Sequence, residues 1–401
     1  MNQGGTLRAV TRALERDIDL DGFAGHDGYL FVRDGIGLAG RGVARRVLIA
    51  DAQQCLESID SVDDVKGPGS GPVALGCLPF LPDSEGELVI PEVVVGRGPD
   101  GSRWITAVTA TGSEPPTDLE PAALRSSSAA SFTVTPGVAV EHYLRAVAEG
   151  RDAVRRGDLD KVVIARDVLV ESDQPLDRAA ILARLRASFG SSYRYLVDGL
   201  IGASPELLVA RSGPLLRSHP LAGTAPRVGE PTADARLAAQ LMASVKNQVE
   251  HRVVIDVMED TLLPWCSYLD WEAEPSIVAV ANVQHLGTRM EGRLRDPAPS
   301  VLQLARALCP TPALGGHPRR KALELIARWE GMERGRYGGA VGWVDAEGNG
   351  AWAVSIRCAE ISGRRARLFA GGGIVGDSDP EAELAETQAK FQAMLSAIVR
   401  P

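Results

Sequence analysis

Two helical stretches carry acids at spacings that suit a cation. In "DPEAELAETQAKF", Glu383, Glu386 and Lys390 fall at i, i+3 and i+7 and share one face. In "SVKNQVEHRVV", Asn247 and Glu250 stand three apart, with His251 beside Glu250. Two helices that each offer a carboxylate can clamp a hard cation. Mg²⁺ takes one or two protein carboxylates and fills its shell with water and substrate oxygens. The same spacing also describes two solvated helix faces with a Glu386–Lys390 pair. His219, His251 and His317 show no zinc-type spacing.

Just before the last helix runs "FAGGGIVG", in which Gly371, Gly373 and Gly376 satisfy G-x-G-x-x-G. A dinucleotide site needs that loop inside a βαβ unit, with an acid about 20 residues further on. Only one helix follows before Pro401, so an NAD-binding oxidoreductase would rest on the glycines alone. Two readings stay open. One is close packing at a sheet edge. The other is a set of bare backbone N–H groups beside a helix N-terminus, which binds an anion, carboxylate or phosphate.

Bulk properties narrow the partners. The chain has 401 residues, 45% of them hydrophobic, enough for one large or two ordinary domains. A net charge of −9 argues against a nucleic-acid partner, whose binding needs clustered Lys and Arg. No apolar run has the length of a membrane span, and the first residues lack the apolar core of a signal peptide. The five widely spaced cysteines read as buried free thiols in a reducing, cytoplasmic setting. Only five lysines (Lys66, Lys161, Lys246, Lys321, Lys390) stand against 38 arginines. A lysine retained in such a chain is a candidate for a role that needs its compact, titratable amine.

These residues must be positioned by mixed elements. The first third is β-rich, with a hairpin turn at Pro99-Asp100-Gly101. Residues 112–135 are rich in Ser, Thr, Pro and Ala and read as a surface connection. A helix carries the stripe Val140, Tyr143, Leu144, Val147 and Val154, and the strand "DKVVIARDVLV" follows. A helix over 182–189 precedes several strands. One long helix is expected over "ADARLAAQLMASVKNQVEHRVVIDVMEDTLL", a hairpin near Gly348-Asn349-Gly350, and a last helix from about Asp379 with Pro380 at its favoured first position. Without a βαβ period, this is an α+β chain with large antiparallel sheets packed against flanking helices.

Nine ordered stretches resemble the chorismate-utilising enzymes: anthranilate synthase component I and the aminodeoxychorismate, isochorismate and salicylate synthases. They are "DKVVIAR", "GASPELLV", "HPLAGTAPR", "SVKNQVEHRVV", "VANVQHLGT", "CPTPALGG", "RGRYGGAVGW", "AVSIRCAEI" and "AGGGIVGDSDPEAELAETQAK", covering about residues 140–395. Residues 1–135 share only the β-rich texture and are expected to form the N-terminal portion of the same fold, with 136–401 as the chorismate-binding catalytic portion. The resemblance implies Mg²⁺ on Glu250 and Glu386, with Glu383 reaching it through water. It implies substrate carboxylates held by Arg357, Tyr337, Lys390 and the backbone of Gly371, Gly372 and Gly373. The glycines then read as a carboxylate cradle. Asn247 departs from the pattern, because relatives commonly carry an acid there.

Within this family the nucleophile differs. Aminodeoxychorismate synthases carry a lysine where this chain has Ala222, and anthranilate synthases commonly carry Gln where it has Lys161. Lys161 with Ala222 resembles the water-using members. The resemblance therefore implies an isomerase of the hydroxymutase type: oxygen is gained at C2 of chorismate and lost at C4. Lys161 would be the base and Glu206 the acid, His285 would orient the C4 hydroxyl, and Gly223 and Thr224 would line that end. A free lysine titrates near pH 10.4, so such a base must be tuned by its surroundings, and the acid must be kept protonated. Ala313 and Leu314 in "PTPALGG" look more like isochorismate than salicylate synthases. The alternatives are a salicylate synthase, which adds pyruvate elimination, and a non-catalytic chorismate-binding relative. The product would feed siderophore or menaquinone synthesis. No glutaminase partner is expected, and the chain is expected to act as a monomer.

Overall fold

Alternation along single strands builds two cores at once. In the strand Tyr29–Arg33, Tyr29 and Phe31 point into a core between two sheets, whereas Leu30 and Val32 point outward against helices. The computed structural model describes residues 6–110, 130–280 and 282–400. It contains sheets of 13, nine and three strands. The two large sheets face each other across Phe31, Leu75, Tyr195, Trp343 and Ala353. The outer face of the larger sheet is covered by helices that include Arg178–Phe189 and Pro380–Val399. The outer face of the nine-stranded sheet is covered by Ala52–Glu57, Val245–Leu262 and Val301–Leu308. Among the described strand pairs only Leu7–Ala13 with Asp60–Asp63 is parallel, so the antiparallel α+β expectation holds.

The N-terminal third completes both large sheets. Tyr29–Arg33 pairs with Tyr193–Val197, and Val73–Leu78 pairs with Ala340–Asp345. Position 135 therefore marks no break in either sheet.

Several local expectations change. The long helix is two helices, Pro231–Ala243 and Val245–Leu262, broken at Ser244. Ser244 is extended (φ −75°, ψ 109°), and its hydroxyl accepts from the Asn247 N–H, which caps the second helix. The helix expected over 182–189 begins at Arg178, where Asp177 accepts from the Ala180 N–H. Residues 132–135 belong to a strand, Phe132–Pro136, rather than a connection, while 111–129 lie outside the described residues. The cysteines are free, and four are buried, but Cys55 is only half-buried. No helix among the described residues is long and apolar enough to cross a membrane.

Candidate active site

Gly371, Gly372 and Gly373 lie in a strand, Arg365–Ile374, that pairs along its whole length with the strand Lys161–Ser172, and Gly376 follows it. Val163 stands opposite Gly373, Ile164 opposite Gly372 and Ala165 opposite Gly371. On its other edge the glycine strand is covered by Cys358–Ser362 only as far as Leu368. The Gly371 carbonyl faces this open edge, where it accepts from Lys390 Nζ at 2.7 Å. In an antiparallel strand the N–H and C=O of one residue point the same way, so the N–H groups of Gly371 and Gly373 face the open edge too. Side chains here would collide with the site. A Cβ on Gly373 would sit 2.5 Å from Glu250 Oε1 and 2.8 Å from Lys161 Cε, and one on Gly372 would sit 2.5 Å from Glu383 Oε2. Close approach and edge exposure thus coexist.

The last helix starts at Pro380, with Asp379 accepting from the Ala382 N–H. It delivers Glu383, Glu386 and Lys390 to one cavity, and the helix Val245–Leu262 delivers Lys246, Asn247 and Glu250 to the same cavity. Each carboxylate has an ammonium. Glu250 accepts from Lys161 at 2.8 Å, Glu383 from Lys246 at 3.4 Å, and Glu386 pairs with Lys390. Ser378 also donates to Glu383 at 2.8 Å. Burial works to raise the Glu250 carboxyl, but the charges of Lys161, Lys390 and Lys246 together bring it below its ordinary value. Glu383 is pushed up, first by burial and then by the charge of Glu386.

Among the described residues no three His, Cys, Asp or Glu side chains close on a single point as a cation cage. The carboxylates turn to lysines instead. Their chemistry still fits a hard divalent ion: three buried or half-buried carboxylates line one cavity, and each is already matched to a positive charge that an ion can replace.

Glu206, which lines the same cavity, is 2% exposed, and its Oε1 accepts from the Leu221 N–H at 3.3 Å. Burial pushes its carboxyl up to about 8, so it stays protonated at neutral pH. Arg357, in the left-handed region at φ 51°, reaches the cavity between the strands Gly350–Val354 and Cys358–Ser362. Its Nη2 donates to His285 Nε2 at 3.1 Å, and His285 Nδ1 lies 3.1 Å from the Gly223 carbonyl and 3.2 Å from Thr224 Oγ1. Burial first, then the charges of Arg357 and Lys390, hold His285 down to about 3, so the ring is neutral. With Nε2 accepting, the proton sits on Nδ1. Both nitrogens are thus engaged inside the protein. Within the protein His285 braces Arg357, and it lines the cavity where the expected role toward a substrate hydroxyl would be played.

The remaining wall is Ala313 and Leu314, held by a buried ion pair. Arg334 donates to Glu330, to the Leu314 carbonyl at 2.7 Å and to the Val163 carbonyl at 2.8 Å. Tyr337 stacks on Phe369 with centroids 5.1 Å apart, and burial raises its phenol far above neutrality. The cavity lining brings together Glu206, Gly223, Thr224, Glu250, His285, Ala313, Leu314, Tyr337, Arg357, Gly371, Gly373, Glu383, Glu386 and Lys390. Lys161 (2% exposed) and Gly372 lie just behind the lining, Lys161 under Glu250. Lys246 is a site residue that motif reading missed. The scarcity of lysine was its signal, since three of the five lysines meet here.

The sequence matches the family model described as chorismate binding enzyme over residues 44–399. The chain belongs to the chorismate-binding enzyme family. It is 42% identical to a provisionally named isochorismate synthase MenF of Mycobacterium tuberculosis over 350 residues, 82% of this chain and 87% of that protein. It is 35% identical to isochorismate synthase DhbC of Bacillus subtilis, over 90% of this chain and 91% of the relative. Its fold matches that of MenF, the menaquinone-specific isochorismate synthase of Escherichia coli, with a TM-score of 0.84 at 24% identity, covering 99% of this chain and 95% of the other. Family membership makes the cavity between the glycine strand and Glu206 the place to look for chorismate chemistry.

Proposed function

We propose that this chain is a Mg²⁺-dependent isochorismate synthase that adds water at C2 of chorismate and expels the C4 hydroxyl. The observation that carries this reading is the polarity of the cavity. Glu206 is a protonated acid, and the Lys161–Glu250 pair and the other lysine-matched carboxylates share its cavity. Arg357 and Lys390, with the open edge at Gly371 and Gly373, suit the two substrate carboxylates. A bound divalent cation would supply charge neutralisation and hold a substrate carboxylate on Glu250 and Glu386, with Glu383 nearby.

In its uncharged amine form, Lys161 Nζ takes a proton from the water whose oxygen bonds to C2. The diene shifts, the C4–O bond breaks, and the Glu206 carboxyl gives its proton to the departing oxygen, so the product is an isomer of the substrate. Ala222, 6% exposed in the strand Leu221–Pro226, offers no amine to attack the ring. Incubation of the purified protein with chorismate and Mg²⁺, followed by chromatography, tests the reading. Isochorismate as main product, abolished by EDTA and restored by Mg²⁺, is expected. Anthranilate, salicylate formed without an isochorismate lag, or full turnover in excess EDTA would reject it.

A further inference from the structure

Tyr143 lies on the helix Val140–Arg155, behind the glycine strand, and is 1% exposed. Its ring packs among Phe80, Val147, Ile164 and Leu384. Its hydroxyl is buried and has no hydrogen-bond partner among the described residues. The bare Cα of Gly372 leaves space open beside it: a Cβ built there would lie 3.8 Å from the Tyr143 hydroxyl and 2.5 Å from Glu383 Oε2. The phenol and that carboxylate oxygen therefore converge on one spot. Glu383 spends its other oxygen, Oε1, on Ser378 and Lys246. Burial, then the charges of Glu383 and Glu386, raise the phenol well above its ordinary range, so it remains a donor. A buried orphan donor facing a carboxylate oxygen that accepts no described bond calls for a small polar occupant between them.

We propose that Tyr143 is a positioning residue for the cation site, its hydroxyl donating through one water to Glu383 Oε2 and so restraining the carboxylate that serves Mg²⁺. This rests on the Mg²⁺ reading given above. Groups that orient a metal's carboxylates through hydrogen bonds are worth about 10–100-fold in metal affinity when removed. Gly372 is then required so that nothing stands between phenol and carboxylate.

The test compares wild type and Tyr143→Phe by thermal unfolding, first in EDTA and then over a Mg²⁺ titration, with Mn²⁺ binding read independently by electron paramagnetic resonance. Binding to the folded state raises the melting temperature with ligand concentration, so the midpoint of that rise reports affinity. Tyr143→Phe should match or exceed the metal-free wild type in stability, because the lost hydroxyl had no protein partner. Its Mg²⁺ and Mn²⁺ affinities should fall by about tenfold or more. Wild-type metal affinity in Tyr143→Phe, with or without a loss of metal-free stability, would overturn the proposal. A wild type that shows no Mg²⁺-dependent shift and no Mn²⁺ binding would overturn the Mg²⁺ reading itself and this inference with it.

Discussion

Glu206→Gln separates acid chemistry from fold. The substitution is isosteric and keeps an oxygen for the Leu221 N–H. Glu206 is buried, and its carboxyl rises from an ordinary 4.5 to about 8. A folded-state pKa above the unfolded value means that the folded protein holds a proton that the unfolded chain releases. The associated stability is fully present below pH 4.5 and is lost as pH rises through about 8. At 1.36 kcal/mol per pH unit, the whole displacement corresponds to about 5 kcal/mol, and roughly 3 to 4 kcal/mol of it falls between pH 5 and pH 8. Glutamine has no such proton. Urea unfolding of both proteins at a series of pH values should therefore show Glu206→Gln gaining on wild type by that amount between pH 5 and pH 8. The same variant should lose about 10² to 10⁴-fold in kcat, the usual contribution of a general acid. Wild-type turnover should fall on the alkaline side near pH 8, where the acid is lost. A stability difference that stays flat from pH 5 to pH 8 would show that Glu206 is not held protonated and would remove the acid from the mechanism.

Gly373→Ala places a methyl 2.5 Å from Glu250 Oε1 and 2.8 Å from Lys161 Cε, so the Lys161–Glu250 pair must part. Circular dichroism should show a folded protein, and product assays a loss of about 10²-fold or more if Lys161 is the base. His285→Ala removes the brace on Arg357 and should raise KM far more than it lowers kcat, whereas His285→Gln, which can still accept from Arg357, should recover part of the loss. Equal falls in kcat and kcat/KM for His285→Ala would instead show that His285 works directly on the transition state. His285 is neutral down to about pH 3, so its titration should add no limb to the rate profile between pH 5 and 7.

Much of the site was legible because its signals are positional. Glu383, Glu386 and Lys390 share a helix face, and their helix opens at Asp379 and Pro380 as expected. The glycines carried two readings, and in the strand Arg365–Ile374 close packing and an uncovered edge coexist. The helix break at Ser244 was hidden because the apolar period continues across it, while the side-chain cap that decides the break is a local bond. Tyr143 stood on a stripe that reads as core, and it is core. Only its neighbours across the strand give its hydroxyl a task. Lys246 sits in no catalytic pattern, and its partner Glu383 is 137 residues away. The pairing of His285 with Arg357, 72 residues on, has no trace in local spacing.

Water as the nucleophile is the central claim, and isotope labelling tests it most directly. Chorismate and Mg²⁺ turned over by the wild-type protein in ¹⁸O-water, with product analysed by mass spectrometry at early times, should give isochorismate carrying ¹⁸O at C2. The label should appear whether or not glutamine or ammonium is present. An unlabelled C2 hydroxyl, or a main product with nitrogen at C2, would contradict water attack in this cavity.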